Sequence, residues 1–238
     1  MKTLLDFRCP LSDEDRTLLN NITNAYQLIA EQLRSSHRME MKPGSSIVQF
    51  MNSQTEIHKS LINFYKLMPQ FNELDIQDRV LLIKYNLVKL MHIHSVLTNN
   101  FEEHPEIGEY MSKWVSVEFH QRMSRAFHRY RRFIERPLIL KLTLIIFIFS
   151  MHLSPPHNTD VYSNRKMIHQ IQEFYVKLLW RYLNSLFNAR EAIGSMVMII
   201  TQILHHQMSV IEMEASIHKD AECNTINELE SSLFRLKC

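Results

Sequence analysis

Thirteen histidines and three cysteines are the side chains of this 238-residue chain best suited to metal binding or catalysis. His92 and His94 lie two apart, and His205 and His206 are adjacent. With scattered carboxylates they could build a metal centre, but no His-Glu-x-x-His or Glu-x-x-His pair occurs to put two ligands on one helix face. Cys9, Cys223 and Cys238 sit near the two ends without metal-ligand spacing and read as free thiols of a reducing compartment. The run His128 to Arg132 interleaves Tyr130 with arginines, a composition seen in nucleic-acid contacts. Five residues on one helix read better as a solvated face. No constellation here amounts to an active site, and no enzyme is expected.

The elements that must position these residues are helices. Only 3 glycines and 7 prolines occur, too few for a sheet protein with many tight turns. Net charge is +2, from 27 basic and 25 acidic residues, so no overall field calls for nucleic acid or a membrane. The apolar stretch 138–149 is too short to span a bilayer and contains Lys141. The first residues lack the apolar core of a signal peptide, so a soluble intracellular chain is expected.

Apolar periodicity predicts a first helix opened by Ser12 and its acidic neighbours, then a flexible connection over 35–46 with Pro43-Gly44. One long helix is predicted from about 47 to 68, stopped by Pro69, and another from Asp75 to about 97. A looser segment with Pro105 and Gly108 precedes a basic aromatic helix over 114–134. The apolar helix, a loop with Pro155-Pro156, helices over 164–187 and 191–217, and an amphipathic tail over 226–236 complete the chain. The expectation is a single all-α domain over 1–238 without an internal repeat.

The run from Phe64 to Lys84, FYKLMPQFNELDIQDRVLLIK, resembles the hallmark stretch of nuclear-receptor ligand-binding domains. There an aromatic, a lysine and Pro-x-Phe close one helix, and an acidic loop leads into an Asp-Gln-x-x-Leu-Leu-Lys-like helix. Segments at 11–26, 88–95, 142–150, 164–173 and 200–212 are similar to further helices of that family, in the same order. Asp75-Ile76 and His205-His206 lean towards its vitamin D, bile-acid and ecdysone receptor-like branch. The resemblance implies a three-layer antiparallel helical sandwich around an apolar pocket, and a mobile C-terminal activation-type helix over 222–238. It implies ligand binding rather than catalysis, with a lipophilic small molecule as ligand and no other cofactor.

On that resemblance, Gln54, Ile57, His58, Leu61, Met91, His94, Ser95, His206 and Gln207 would line the pocket. Ile62, Lys66, Val80, Leu81, Lys84, Leu233 and Phe234 would form a groove for coactivator or corepressor helices, with Lys66 capping the carbonyl end of the bound helix. Where the family's last helix carries a glutamate, this chain has Ser232, so Glu228 or Glu230 would have to compensate. Leu229, Leu233 and Phe234 also make the tail a candidate occupant of its own groove. Weak or atypical ligand-dependent activation follows as an expectation.

Residues 191–207, with Ile193, Met196, Val197, Ile200 and Ile203, would form the interface to a retinoid X receptor-like heterodimer partner or to a second copy. The chain contains no zinc module, so DNA would be reached through a domain outside it. The implied location is nuclear, with the cytoplasm as second compartment, and no membrane association. The alternative is a ligand-independent helical protein-interaction or repressor domain.

Overall fold

A computed structural model describes residues 11–36, 44–102, 105–151 and 161–236. Cys9, Cys238, the Pro155-Pro156 loop and most of the 35–46 connection fall outside those residues. Every element is helical: α1 (Asp13–Ser36), α2 (Ile47–Ser53), α3 (Thr55–Lys66), α4 (Pro69–Asn72), α5 (Ile76–Thr98), α6 (Pro105–Trp114), α7 (Val117–Tyr130), α8 (Leu138–Ile148), α9 (Arg165–Leu186), α10 (Ala189–Lys219) and α11 (Glu228–Leu233). Single 3-10 turns follow α7 and precede α11. No strand occurs among the described residues.

Short polar residues start these helices by accepting from the backbone N–H three positions on: Ser116 for α7, Asn164 for α9, Asn188 for α10 and Asn227 for α11. Ser46 and Gln49 form a reciprocal capping box at α2. The helix expected over 47–68 is in fact two. Ser53 Oγ donates to Phe50 O at 2.6 Å and Thr55 Oγ1 to Asn52 O at 2.8 Å. These hydroxyls compete for the carbonyls of the regular ladder, and the chain tightens at Gln54, whose N–H reaches Met51 O at 3.0 Å. The segment with Pro105 and Gly108, expected to be loose, is the helix α6. A Cβ at Gly108 would lie 2.3 Å from the His120 ring, so the glycine is what lets α6 approach α7.

Helix α5 is the centre of the molecule and packs against α3, α8, α10 and α11. It is long and apolar enough to cross a membrane, yet most of it is buried within the fold. Helix α8 lies against α1, α5 and α9, and its residues from Ile139 to Ile146 are all buried. Asn86 of α5 donates to Ile148 O and Ser150 O, closing the C-terminus of α8. Asp15 of α1 accepts both guanidinium bonds of Arg181 on α9 at 2.6 and 2.7 Å, and this pairing holds its carboxyl below the ordinary value. Cys223 is disulfide-bonded, which corrects the reading of three free thiols; its partner sulfur lies outside the described residues.

Candidate functional site

A cavity of about 920 Å³ opens on one side of α5. Phe50 and Met51 of α2, Ile57 of α3, Met91 of α5, Met111 of α6, Phe119 and Met123 of α7 and Met213 of α10 are apolar parts of its wall. That volume suits a whole small molecule, and thioether walls adapt to irregular apolar shapes. Gln54, His58, Ser95, His206 and Ser209 supply polar points. Of the residues expected in a pocket, Gln54, Ile57, His58, Met91, Ser95 and His206 line this cavity.

Leu61, His94 and Gln207 do not. Leu61 follows Ile57 by one turn and is wholly buried against the core. His94 is equally buried and ties three helices together. Ser60 Oγ donates to Ile57 O at 2.8 Å, so it accepts from His94 Nε2 at 2.8 Å. His94 Nδ1 then accepts from Tyr26 O–H at 2.7 Å. Burial, reinforced by His58 nearby, pushes His94 down to about 3, in keeping with this neutral tautomer. It is a structural bridge, not a ligand anchor.

One cavity residue reaches directly to the tail. His58 Nδ1 and Glu230 Oε1 lie 2.6 Å apart, with both side chains buried. Thr55 Oγ1 lies 3.3 Å from the same oxygen, its one proton shared with the shorter bond to Asn52 O. The tail is further held where Asn227 N donates to Asn52 Oδ1 and Asn227 Nδ2 to Thr55 Oγ1. Phe234 turns inward and itself lines the cavity. The helix ends in a Schellman pattern: Leu236 N donates to Ser231 O, and Arg235 takes φ +52° with its guanidinium 4.8 Å above the Tyr85 ring. The cap closes the end of the helix, and the Arg235 contact with Tyr85 of α5 adds to what seats the tail.

The expected groove residues divide. Lys66 is exposed at the end of α3, and its carbonyl accepts from Asn72 Nδ2 at 2.7 Å. Ile62 and Lys84 are half-buried and Leu81 is buried. Val80 is 54% exposed, and Ile76, four residues before it on the same edge of α5, 72%. Leu233 and Phe234, expected on that groove, are instead buried in the molecule. The tail also lacks a true Leu-x-x-Leu-Leu spacing, because Leu229 and Leu233 are four apart. With the tail seated by His58, Lys66 and Val80 stay uncovered. Glu230, turned inward, is no substitute for the family's outward glutamate. Glu228 and Ser232 occupy the exposed face of α11, one turn apart.

The tail bond to His58, the tautomer of His94 and the pairing of Asn227 were not legible in advance. Each joins residues far apart in the chain. Asn52, Thr55 and Asn227 stand at helix ends, where polar side chains are ordinary, so they gave no signal of this contact. No group of three or more potential metal ligands occurs among the described residues. No family model and no curated protein matches the chain.

Proposed function

We propose that this chain is a ligand-regulated domain of the nuclear-receptor type. In this reading the 920 Å³ chamber binds a lipophilic small molecule, and the exposed edge of α3 and α5 binds a coregulator helix. The observation that carries it is His58, which lines the chamber and bonds Glu230 of the tail helix, so a ligand and the tail share one residue. A ligand that packs on His58 and Phe234 favours the seated tail by its differential affinity for that state. The packing supports the same reading: α1 and α3 meet α5 and α8, which in turn meet α9 and α10. This succession suits a three-layer helical sandwich.

The first experiment is fluorescence anisotropy of labelled Leu-x-x-Leu-Leu and corepressor peptides. Lys66→Ala is expected to weaken binding about tenfold, because a cation at the carbonyl end of a helix contributes up to about 2 kcal/mol. Unchanged affinity would remove the groove from the proposal. Ser232→Glu restores an outward carboxylate at the other end of the peptide and is expected to tighten coactivator binding by about the same factor. A wild-type chain that already binds tightly, with no gain from Ser232→Glu, would count against that geometry.

Helix α10 presents Ile193, Val197, Ile200, Leu204, Met208 and Ile211 to solvent at helical spacing. Ile203, expected on this face, is buried, and Met196 is half-buried. We assign the stripe to a second chain of the same fold, either another copy or a retinoid X receptor-like partner. Leu204→Arg is expected to convert a sedimenting dimer to monomer at micromolar concentration; a wild type that stays monomeric alone would leave the heterodimer. The residence implied is nuclear, with DNA reached through another domain. A ligand-independent interaction or repressor domain is the second reading, and it is favoured by Ser232 standing where an outward glutamate would complete the groove.

A further inference from the structure

A second cavity, of about 380 Å³, lies between α7 and α10. Arg122, Arg125, Arg129 and His205 line it, and Glu212 is its carboxylate, paired with Arg122. Three guanidiniums against one carboxylate leave this side compartment cationic whatever the state of His205. Its inner wall contains Gln202, His92 and His206, all buried. Gln202 Nε2, His92 Nδ1, His206 Nδ1 and Arg122 Nε each lack a hydrogen-bond partner. An unpaired buried polar atom is costly, so four around one cavity call for a polar group that they would meet.

The compartment is continuous with the chamber's wall. His92, Met123, His206 and Ser209 line both cavities, and the His92 and His206 rings lie 5.2 Å apart there. His206 Nε2 donates to Val88 O at 3.3 Å, so Nδ1 of the neutral ring is an acceptor, suited to a hydroxyl or water of the arriving ligand while its anionic oxygens meet the guanidiniums. An apolar chamber and a basic side compartment that share one polar wall, His92, Met123, His206 and Ser209, together make an amphipathic pair of cavities.

From this we infer the chemical class of the ligand: an amphipathic lipid acid. Its hydrocarbon part fills the chamber, and its anionic head lies past His92 and His206, held by Arg122, Arg125 and Arg129. The inference rests on the ligand-binding reading above and adds to it the head group and its anchor. Guanidinium pairs bind carboxylates and phosphates alike, so the shared chemistry is an anionic head on a long apolar chain.

Isothermal titration with oleate, oleyl alcohol and oleoyl lysophosphatidate tests it on the full chain. Oleate or the lysophosphatidate is expected to bind at least about tenfold more tightly than the alcohol, the effect of one charge-assisted hydrogen bond. Whichever acid binds better names the head as carboxylate or phosphate. The exposed pair Arg125→Ala/Arg129→Ala should narrow that gap severalfold, leaving only Arg122 at the head, and Glu212→Gln should widen it. Equal binding of acid and alcohol, unmoved by these variants, overturns the inference and leaves the chamber as an apolar site. Binding of none of the three overturns it as well, and the Lys66→Ala peptide titration then judges the regulatory reading separately.

Discussion

Moving the protein from pH 7 to pH 5 is expected to remove about 6 kcal/mol of its folding stability. Three buried histidines are the cause. Desolvation pushes His92 down to about 3, with His206 beside it adding to the effect; His94 falls to about 3 and His206 to about 4. In the unfolded chain each titrates near 6.5. The folded values lie below the unfolded ones, so stability is fully present above pH 6.5 and is lost as pH falls towards 3 to 4. Each histidine contributes about 1.4 kcal/mol per pH unit within that window. At pH 5 this is about 2 kcal/mol from each of the three, against a total of about 5–15 kcal/mol for an ordinary domain. Urea unfolding at pH 7, 6 and 5 measures it, with a slope approaching three protons. His94→Gln should reduce that slope by about one proton while also weakening the Tyr26 and Ser60 bridge. Equal stability at pH 7 and 5 would mean that these rings are charged or hydrated within the fold.

Those histidines also mark the limit of what periodicity reveals. The helical repeat of Ile57, Leu61 and Phe64 predicts a buried face for α3, and all three are buried. It cannot say which part of a buried face meets a cavity and which meets another helix. His58 and His94 therefore looked alike in the sequence: both lie on apolar helices and both stand near the expected pocket. Packing separates them, since His58 meets the chamber and the tail while His94 meets Tyr26 and Ser60. The same limit applies to helix breaks. Pro69 ended a helix as expected, but the break at Gln54 depends on hydroxyl bonds from Ser53 and Thr55 that compete locally with the ladder. The low glycine count did indicate helices throughout, but Pro105 and Gly108 hid α6 by suggesting a loop. Pro105 begins that helix, where a missing N–H costs nothing, and Gly108 serves a close helix contact.

His58→Ala is expected to release the tail helix. Glu230 is wholly buried, its Oε2 has no partner, and its Oε1 depends on His58 and Thr55. Removing one member of a buried ionic or strongly hydrogen-bonded pair costs about 3–5 kcal/mol if the other must remain in place. The tail has a way out, because α11 can leave its seat and carry the carboxylate into water. The loss of global stability is therefore capped by the free energy that docks the tail. That energy comes from Leu233, Phe234 and Leu236, from Asn227 on Asn52 and Thr55, and from Arg235 over Tyr85. Hydrogen exchange should show the amides of 228–236 losing about a hundredfold in protection, some 2.7 kcal/mol, with α5 and α8 unchanged. Glu230→Gln keeps a hydrogen-bonding group opposite His58 and should lose less. The double variant His58→Ala/Glu230→Ala leaves neither buried partner stranded, so the two losses should fall well short of adding. Purely additive effects would mean that the apolar residues alone seat the tail and that His58 carries no signal from the chamber. Strong coupling, together with weaker coactivator peptide binding in His58→Ala, would make this bond the link through which a ligand is felt at the surface.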